Sequence, residues 1–319
     1  AHALGALHLM SSALKTLRAK GIEITDEECL AACIAILLHD VGHGPFSHAL
    51  ETIIIEKSHE EISLDLMHEL DVQYSKQLNM AISIFKGSYV KKFLTQLVSS
   101  QLDMDRMDYL TRDSYYSGVA EGVIGYKRII AMLNVADNEL VVEEKGIYSI
   151  EKFLVARHIM YWQVYPHKAS VCVEQMLRCY ITRLKQLLRE ELIPSDNSCL
   201  HKNLLNAKYD PAIYLEMFTQ LDDIDIFAEL KNHALRRDKV LSILANAILH
   251  RKLFKAHLNE QEFGETDLHK IQNRLQSQYN LNAEEANALI IKGVESTLAY
   301  NIKSDEILIL RKDGKIVPA

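Results

Sequence analysis

Residues 39–48 read His39-Asp40-Val-Gly-His43-Gly-Pro-Phe-Ser-His48 and form the densest polar cluster in an otherwise apolar part of the chain. A single histidine at a helix end is most often a cap or a buried ring with a hydrogen-bond partner. Three histidines and an aspartate so close together, with glycines that let the backbone close around a ligand, instead indicate a metal site. Because His39 and Asp40 would leave a continuous helix roughly 100° apart, both can reach one ion only where the helix ends.

The segment before this cluster predicts a helix that ends there. Thr25-Asp-Glu-Glu28 is a capping box, in which each end residue bonds the backbone of the other. Apolar residues then repeat at helical spacing as far as Leu38, and the Gly-rich stretch ending at Pro45 stops the pattern. We therefore expect a helix over residues 26–40.

Most of the remaining chain is helical in pattern, which predicts a mainly α, multi-helical fold. Ser58-His-Glu-Glu61 repeats the capping signature and starts a helix toward Leu70. Further helices are predicted over residues 89–116, 151–192 with a break at Pro166, 211–220, 225–250 and 268–279.

Two segments have β character instead. Residues 139–150 carry β-branched side chains around Lys145-Gly146, which predicts a small β-hairpin with its turn there. Near the C-terminus, Gly293–Tyr300 and Ile307–Leu310, the latter followed by an Asp313-Gly314 turn, predict a small α+β region. These patterns suggest a catalytic core over residues 1–195, a helical extension packed on it over 196–279, and a small β-containing region over 280–319.

Composition narrows the classes of function. The 319 residues include 36 basic and 43 acidic side chains, for a net charge of −7. The chain as a whole therefore does not attract nucleic acid, and nucleic-acid binding is not expected. No apolar run approaches the roughly 18 residues that a membrane span needs, so we expect a cytoplasmic protein.

The remaining ligands of the predicted metal must come from elsewhere in the chain. The candidates are His2, on the first predicted helix, and an aspartate within residues 101–113. Two imidazoles and two carboxylates with open positions suit one divalent ion with room for water better than a structural zinc site. These donors do not distinguish Mn, Fe, Mg, Ni, Co and Zn.

Asp105, Tyr109 and Asp113 follow one another at four-residue spacing and so share one helix face. The plainer interpretation is a solvated face with an Asp108–Arg112 pair, worth a few tenths of a kcal/mol.

Arg157, Tyr161 and Tyr165 have the same spacing in an apolar, aromatic segment. Arg157 is either a surface arginine with a buried stem or a clamp for an anion in a pocket.

At this point the residues resemble a known family. His2, His39-Asp40 and Asp105 match the H…HD…D signature of the HD-domain phosphohydrolases. The strings over residues 39–48, 103–109 and 165–168 are similar to the deoxynucleoside triphosphate triphosphohydrolase branch, which includes bacterial dGTPases and the vertebrate SAM-and-HD-domain enzyme. The resemblance covers roughly residues 1–260. It is specific because all three strings occur, and in the same order along the chain.

The resemblance implies a role for each matching position. Metal ligands would be His2, His39, Asp40 and Asp105. His48 would be the acid or water-positioning residue near the scissile bond, surrounded by His43, Glu51 and His59. Arg106, Arg157 and Lys168 would face the triphosphate, Tyr109 and Asp113 the sugar, and Tyr165 would pack against the deoxyribose and disfavour a 2′-hydroxyl. Tyr161, a histidine in some members, completes the substrate-binding candidates. The family usually carries an arginine three residues before the first histidine, a position that would fall before Ala1, so the resemblance assigns no residue to it.

The implied activity is metal-dependent hydrolysis of a deoxynucleoside triphosphate to a deoxynucleoside and inorganic triphosphate. Implied partners are the deoxynucleotide substrate, a regulatory nucleotide, and further copies of the chain in a dimer or tetramer. One alternative is another HD phosphohydrolase, acting on nucleoside monophosphates or cyclic dinucleotides. The cyclic-dinucleotide class carries a Gly-Tyr-Pro motif, whereas this chain has Gly125-Tyr126-Lys127. A nucleotide-sensing protein is the other alternative.

Overall fold

The computed structural model describes residues 1–206, 210–235, 238–257, 263–293 and 306–319. The chain is mainly α-helical with one small four-stranded sheet, which confirms the predicted fold class. The described residues form the helices α1 (His2–Ala19), α2 (Asp26–Leu38), α3 (His59–Gln73), α4 (Asn79–Phe85), α5 (Lys92–Val98), α6 (Met104–Ser117), α7 (Tyr126–Met132), α8 (Ile147–Gln163), α9 (Lys168–Arg189), α10 (Cys199–Leu205), α11 (Pro211–Thr219), α12 (Asp223–His233), α13 (Lys239–Leu249), α14 (Glu265–Tyr279) and α15 (Ala283–Ala288) and the strands β1 (Leu133–Ala136), β2 (Glu139–Glu143), β3 (Leu308–Leu310) and β4 (Ile316–Pro318).

One compact unit comprises residues 1–42, 63–166 and 306–319. Its central helix is α1, which packs against both α2 and α6. Met10, Ala13, Leu14 and Leu17 recur every three or four residues along α1 and are almost fully buried, so they form its core-facing stripe. This packing brings the starts of α1 and α6 and the end of α2 into one core.

Helix α2 begins where its sequence predicts and ends at Leu38, two residues before the predicted end. The hydroxyl of Thr25 accepts from the backbone N–H of Glu28, and the Glu28 carboxylate accepts from the N–H of Thr25. The helix ends at Leu38, so His39 occupies the C-cap. His39 and Asp40 therefore follow the last helical turn, as the metal-site interpretation required.

The continuous helix predicted over residues 89–116 is wrong in part. The structure has two helices, α5 and α6, with residues 99–103 between them. The Asp103 carboxylate accepts from the backbone N–H of Arg106 at 2.7 Å and so starts α6 as a new helix. Gly118 ends α6 at a φ of +74°, a left-handed conformation that glycine adopts without steric cost.

The predicted hairpin exists, but its turn is earlier than expected. β1 pairs antiparallel with β2, and the turn between them is Asp137-Asn138. Both turn residues have positive φ, 52° and 64°, which Asp and Asn tolerate better than most residues. Lys145 and Gly146 lie instead in a short 3₁₀ turn after β2.

The C-terminal β region joins this hairpin in a single sheet. β3 pairs in parallel with β2 and antiparallel with β4, giving the order β1-β2-β3-β4. Gly314, at a φ of +83°, lies in the predicted turn between β3 and β4. Of the stretch predicted as Gly293–Tyr300, residues 294–300 lie outside the described residues.

The second compact unit comprises residues 43–62 and the described part of 167–293. Its main helix is α9, which packs against α10 and α13. The helix predicted over residues 225–250 is instead two, α12 and α13, because the Asp238 carboxylate accepts from the N–H of Leu241 and starts a new helix. The predicted domain boundaries after residues 195 and 279 stay predictions.

In the part of the chain that the structure describes, no helix has the length and apolar character needed to cross a membrane.

Candidate metal centre and surrounding residues

Four side chains from three helix ends converge in the first unit. His2 is the first residue of α1, His39 and Asp40 follow α2, and Asp105 lies in the first turn of α6. One ligand atom from each of the four lies within 4.8 Å of all the others. The structure thus brings together the four residues predicted as metal ligands.

The distances within this group resemble those between ligands of a common ion. His2 Nε2 lies 3.0 Å from Asp105 Oδ1 and 3.5 Å from Asp40 Oδ2. His39 Nε2 lies 3.3 Å from Asp40 Oδ2 and 3.5 Å from Asp105 Oδ1. His39 is buried, yet its Nε2 makes no hydrogen bond to any residue that the structure describes. A buried nitrogen facing two carboxylates without an aligned proton fits a divalent cation.

The outer nitrogens of both imidazoles have hydrogen-bond partners that leave Nε2 available. His39 Nδ1 lies 2.7 Å from the Ile36 carbonyl oxygen. Because a carbonyl oxygen only accepts, Nδ1 carries the proton, and Nε2 of the neutral ring presents its lone pair to the metal position. His2 Nδ1 lies 2.7 Å from Asp108 Oδ2, the carboxylate–histidine arrangement typical of metal sites.

Asp108 contacts the four-residue group, and the sequence interpretation did not include it among the site residues. The predicted Asp108–Arg112 pair exists, with Arg112 Nε and Nη2 donating to the two carboxylate oxygens at 2.9 and 3.0 Å. It is more than a solvated surface pair, since Asp108 is buried and also orients His2. The sequence signal was present in the Asp-Arg spacing, but nothing in it linked Asp108 to a histidine 106 positions away.

The charges of the group favour a cation. Hydrogen bonds to Asp105, then Asp108, then Asp40 raise the pKa of His2 to about 11. Burial raises the pKa of Asp105, but the neighbouring imidazoles of His2 and His39 outweigh it and hold that pKa well below its usual range. A cluster of carboxylates that raises an imidazole pKa so far also attracts a divalent ion. The residues present therefore fit the metal that the sequence predicts.

A buried serine holds the turn that carries the HD pair. Ser63 Oγ accepts from the backbone N–H of Gly42 and donates to the carbonyl of His39, both at 2.9 Å. Ser63 is completely buried, so these bonds form away from water. Sequence reasoning did not single out this residue, which lies in helix α3.

Aromatic residues form a second cluster in the same unit. The hydroxyl of Tyr165 donates to Asp113 Oδ2 at 2.9 Å. The Tyr165 ring makes edge contacts with Tyr161, at 5.0 Å between centroids, and with Tyr109, at 6.1 Å. The two patterns read separately in the sequence, on α6 and at the end of α8, thus meet in one place.

Arg157 is only 5% exposed, which rules out the surface-arginine interpretation. Its Nη1 donates to Gln101 Oε1 at 2.7 Å, and its guanidinium carbon lies 5.8 Å from the centre of the Tyr161 ring. Arg106 pairs with the buried Asp103 carboxylate. The Nε atoms of both arginines are buried and lack a hydrogen-bond partner within the described ranges. Each arginine therefore keeps a donor available.

The other predicted catalytic residues form a cluster within the second unit. Glu51 bridges two imidazoles, with Oε2 at 2.9 Å from His48 Nδ1 and Oε1 at 2.8 Å from His59 Nδ1. The His43 ring stacks on His59 at 4.0 Å and meets His48 edge-on at 4.6 Å. Burial raises the pKa of Glu51, but the hydrogen bonds from His48 and His59 lower it overall to about 2. An ionised Glu51 can hold His48 as a proton donor.

The backbone before His48 is strained. Phe46 and Ser47 have φ of 56° and 47°, both left-handed and uncommon for residues other than glycine. The Phe46 N–H donates to Asp223 Oδ1 at 2.8 Å, which helps to hold this conformation. The His48 side chain that follows is 72% exposed. Lys168, the remaining predicted phosphate contact, is exposed at the first position of α9.

Comparisons with known proteins agree with this geometry. The HD domain family model matches residues 1–113, and the HD-associated region model matches residues 124–292. The chain belongs to the HD-domain family. Members of this family are metal-dependent phosphohydrolases, which is the class of enzyme that the four-ligand group supports.

Individual relatives of this HD-domain protein carry more specific descriptions. It is similar to a phosphohydrolase of Bacteroides thetaiotaomicron, with 46% identity and a TM-score of 0.93 over 99% of this chain and 80% of that one. It is 32% identical to an uncharacterised protein of Bacillus subtilis, covering 72% of this chain and 53% of the relative. It is also 30% identical to a deoxynucleoside triphosphate triphosphohydrolase SAMHD1 homolog of Dictyostelium discoideum, over 59% of this chain and 40% of the relative. The chain thus spans about half the length, or less, of these two curated relatives.

Asp108→Asn is expected to weaken metal binding by this HD-domain protein about 10- to 100-fold, the usual cost of losing a carboxylate that orients a ligand histidine. The neutral amide no longer stabilises the proton on His2 Nδ1. Titration of metal-free protein with Mn²⁺ measures the change. Asp113→Asn, the same substitution on the same helix, should leave metal affinity unchanged; equal affinity in both variants would contradict the role of Asp108.

Glu51→Gln is expected to lower the free energy of unfolding in a pH-dependent way. The pKa of Glu51 falls from an ordinary 4.5 to about 2 in the folded protein. Its charge therefore adds stability above about pH 4.5, and that stability is lost as pH falls toward 2. Urea denaturation at several pH values should show a difference in the free energy of unfolding between wild type and variant that becomes smaller as the pH is lowered. Glu69→Gln, at an exposed position of α3, should have the same free energy of unfolding as wild type at every pH.

Proposed function

We propose that this protein hydrolyses deoxynucleoside triphosphates to a deoxynucleoside and inorganic triphosphate in a metal-dependent reaction. One observation carries the proposal: a single face of α6 holds a candidate metal ligand, Asp105, and two candidate sugar contacts, Tyr109 and Asp113. At 1.5 Å per residue, Tyr109 lies about 6 Å and Asp113 about 12 Å along the axis from Asp105. This spacing suits a nucleotide whose phosphates reach the metal and whose sugar reaches the tyrosines.

His2, His39, Asp40 and Asp105 are the residues that would hold the metal. A divalent ion bound there supplies Lewis-acid polarisation of a phosphoryl oxygen. The hydrogen bonds of Asp108 and the Ile36 carbonyl hold the two imidazole rings in place before substrate arrives. The chain thus presents a preorganised site for the reacting phosphate.

The arginines are proposed to bind the triphosphate. Arg157 is buried and its guanidinium lies near the Tyr161 ring, with its position supported by Gln101. A buried guanidinium with a donor to spare can bond phosphate oxygens and offset the charge that builds on them in the reaction. Arg106 is held by Asp103 in the same unit, and Lys168 is proposed as a further contact.

Tyr165 is proposed to select the sugar. Its hydroxyl bonds Asp113 and its ring contacts Tyr109 and Tyr161, so it has little freedom to move aside. A ring held in this way against a deoxyribose excludes an added 2′-hydroxyl by contact.

His48 is proposed to supply the leaving group with its proton. Water adds to the α-phosphorus and releases a proton to solvent, the bond from phosphorus to the 5′-oxygen breaks, and the 5′-oxygen takes a proton from the His48 imidazolium. Glu51, ionised and bonded to His48 Nδ1, stabilises that imidazolium. The name of the Dictyostelium relative supports the same substrate class. A regulatory nucleotide and a homo-oligomer stay predictions.

Product analysis tests the proposal. We expect full-length protein with Mn²⁺ to convert dNTPs to deoxynucleosides and triphosphate, separated by chromatography, and to leave NTPs intact. Asp267→Ala, on the exposed surface of α14, serves as a control with normal turnover. Release of orthophosphate from monophosphates instead would favour the other phosphohydrolase interpretation. No product from any nucleotide would overturn the proposal and favour a sensor.

A further inference from the structure

A second cluster of ionisable side chains lies within the second unit, outside the HD sequence strings. Asp196 is in the segment after α9, His201 is in α10, and Glu229 is in α12. One ligand atom from each lies within 4.8 Å of the other two. His201 and Glu229 are almost completely buried, with 3% and 6% exposure.

The two carboxylates approach His201 from both sides. His201 Nε2 lies 2.6 Å from Glu229 Oε1, and His201 Nδ1 lies 2.9 Å from Asp196 Oδ1. Despite the short distance, the Nε2 makes no aligned hydrogen bond to any residue in the described part of the chain. An imidazole nitrogen and carboxylate oxygens brought this close together are the donor types that a divalent cation takes.

Further unsatisfied groups surround these residues. Glu229 Oε2 and His233 Nε2 are buried and lack hydrogen-bond partners among the described residues. His233 Nδ1 lies 3.1 Å from the Glu229 carbonyl oxygen and 2.9 Å from the Tyr180 hydroxyl, so this ring is held as His39 is held at the first site. Buried polar atoms without partners are rare in folded proteins and suggest an absent ligand.

The cluster borders a cavity with room for an ion. The cavity has a volume of about 120 Å³ and is lined by Ile193, Pro194, Asp196, His201, Glu229 and His233. An ordered water takes up roughly 30 Å³, so an ion and one or more waters fit.

We propose that Asp196, His201 and Glu229 bind a second divalent cation, with zinc as the best-fitting ion. One imidazole and two carboxylates, with water at a fourth position, are ligands that zinc accepts in four-coordinate sites. His233, whose Nδ1 lies 3.2 Å from Glu229 Oε2, would orient that carboxylate from outside the ligand set. The ion would link the segment after α9 to α10 and α12.

The competing explanation is a His201 ring that accepts from the backbone N–H of Asp196 at Nδ1 and pairs with Glu229 through Nε2, without metal. The metal content of the protein distinguishes these two explanations once the ligands of the HD metal site have been removed by substitution. We therefore place His39→Ala and Asp105→Ala in the full-length chain, incubate it with Zn²⁺, remove unbound metal and measure zinc by mass spectrometry. The proposal predicts about one zinc per chain; no retained zinc would overturn it.

Variants in this background assign the zinc to the cluster. Glu229→Gln should remove the retained zinc, whereas Glu216→Gln, at an exposed position of α11 in the same unit, should keep it. Asp196→Asn should weaken zinc binding about tenfold or more. Asp196 is 55% exposed, so this change should leave the circular dichroism spectrum unchanged. Zinc retained equally by all three variants would place the ion elsewhere and overturn the proposal.

A measurement that leaves the cluster intact gives an independent answer. Co²⁺ in a site of low coordination number absorbs in the visible range, and zinc displaces it. The His39→Ala/Asp105→Ala protein should show such an absorption, saturating near one Co²⁺ per chain and reversed by Zn²⁺. A colourless protein at saturating Co²⁺ would show that the cluster holds no ion of this class.

Discussion

Asp105→Ala is expected to abolish both bound metal and dNTP hydrolysis. The Asp105 carboxylate, like that of Asp40, faces both imidazoles, at 3.0 Å from His2 Nε2 and 3.5 Å from His39 Nε2. Losing a group that orients a metal ligand costs about 10- to 100-fold, and losing the ligand itself should cost more. We expect turnover to fall on the order of 10³-fold or further. Metal content by mass spectrometry and product formation by chromatography check the two effects separately.

The control for this experiment is Asp267→Ala, which removes an exposed carboxylate that pairs only with a nearby lysine on α14 in the described structure. It should retain metal and activity. Circular dichroism of both variants verifies that the helices persist. An Asp105→Ala protein that keeps its metal and hydrolyses dNTPs at the normal rate would show that the metal centre has been assigned to the wrong residues.

His48→Ala is expected to reduce turnover by on the order of 10²–10⁴, the contribution of a general acid. Glu51 bonds His48 Nδ1 at 2.9 Å and leaves the rest of the ring exposed, so the imidazole can donate a proton without first breaking a buried contact. Substrate affinity should change much less than turnover, because the proton transfer occurs only in the transition state. Steady-state kinetics with a dNTP separates kcat from KM.

Because the His48 side chain is exposed, its removal should leave the fold intact, and Tm measured by thermal unfolding should stay close to wild type. His269→Ala, at an exposed position of α14, is the matched control and should retain full turnover. The pH–rate profile provides a further check, because the limb due to the acid should disappear in His48→Ala. Turnover close to wild type in that variant would remove His48 from the mechanism.

The helix boundaries show where local sequence was sufficient and where it was not. The capping box at Thr25 predicted the start of α2, and the same chemistry at Asp103 and Asp238 starts α6 and α13. The two later caps were missed because apolar spacing continued across them. The hairpin turn was placed too late because the glycine at position 146 was taken as the turn signal. The actual turn is Asp137-Asn138, in which both residues adopt positive φ without a glycine.

The HD string could be identified from the sequence alone. The shared face of Asp105, Tyr109 and Asp113 could be predicted as well, because a helix places residues four apart on one face whatever surrounds it. The burial of Arg157, the Asp108–His2 bond and the support of Ser63 could not be read in this way. They depend on which helices pack together, and His2 and Asp108 are 106 positions apart. The cluster of Asp196, His201 and Glu229 also combines local and long-range contacts. Glu229 and His233 are one helical turn apart, but their proximity to His201 and Asp196 arises only when α10 and α12 pack in the folded chain. Local spacing follows from helix geometry, whereas the partners that orient an imidazole or leave its nitrogen unsatisfied are set by long-range packing.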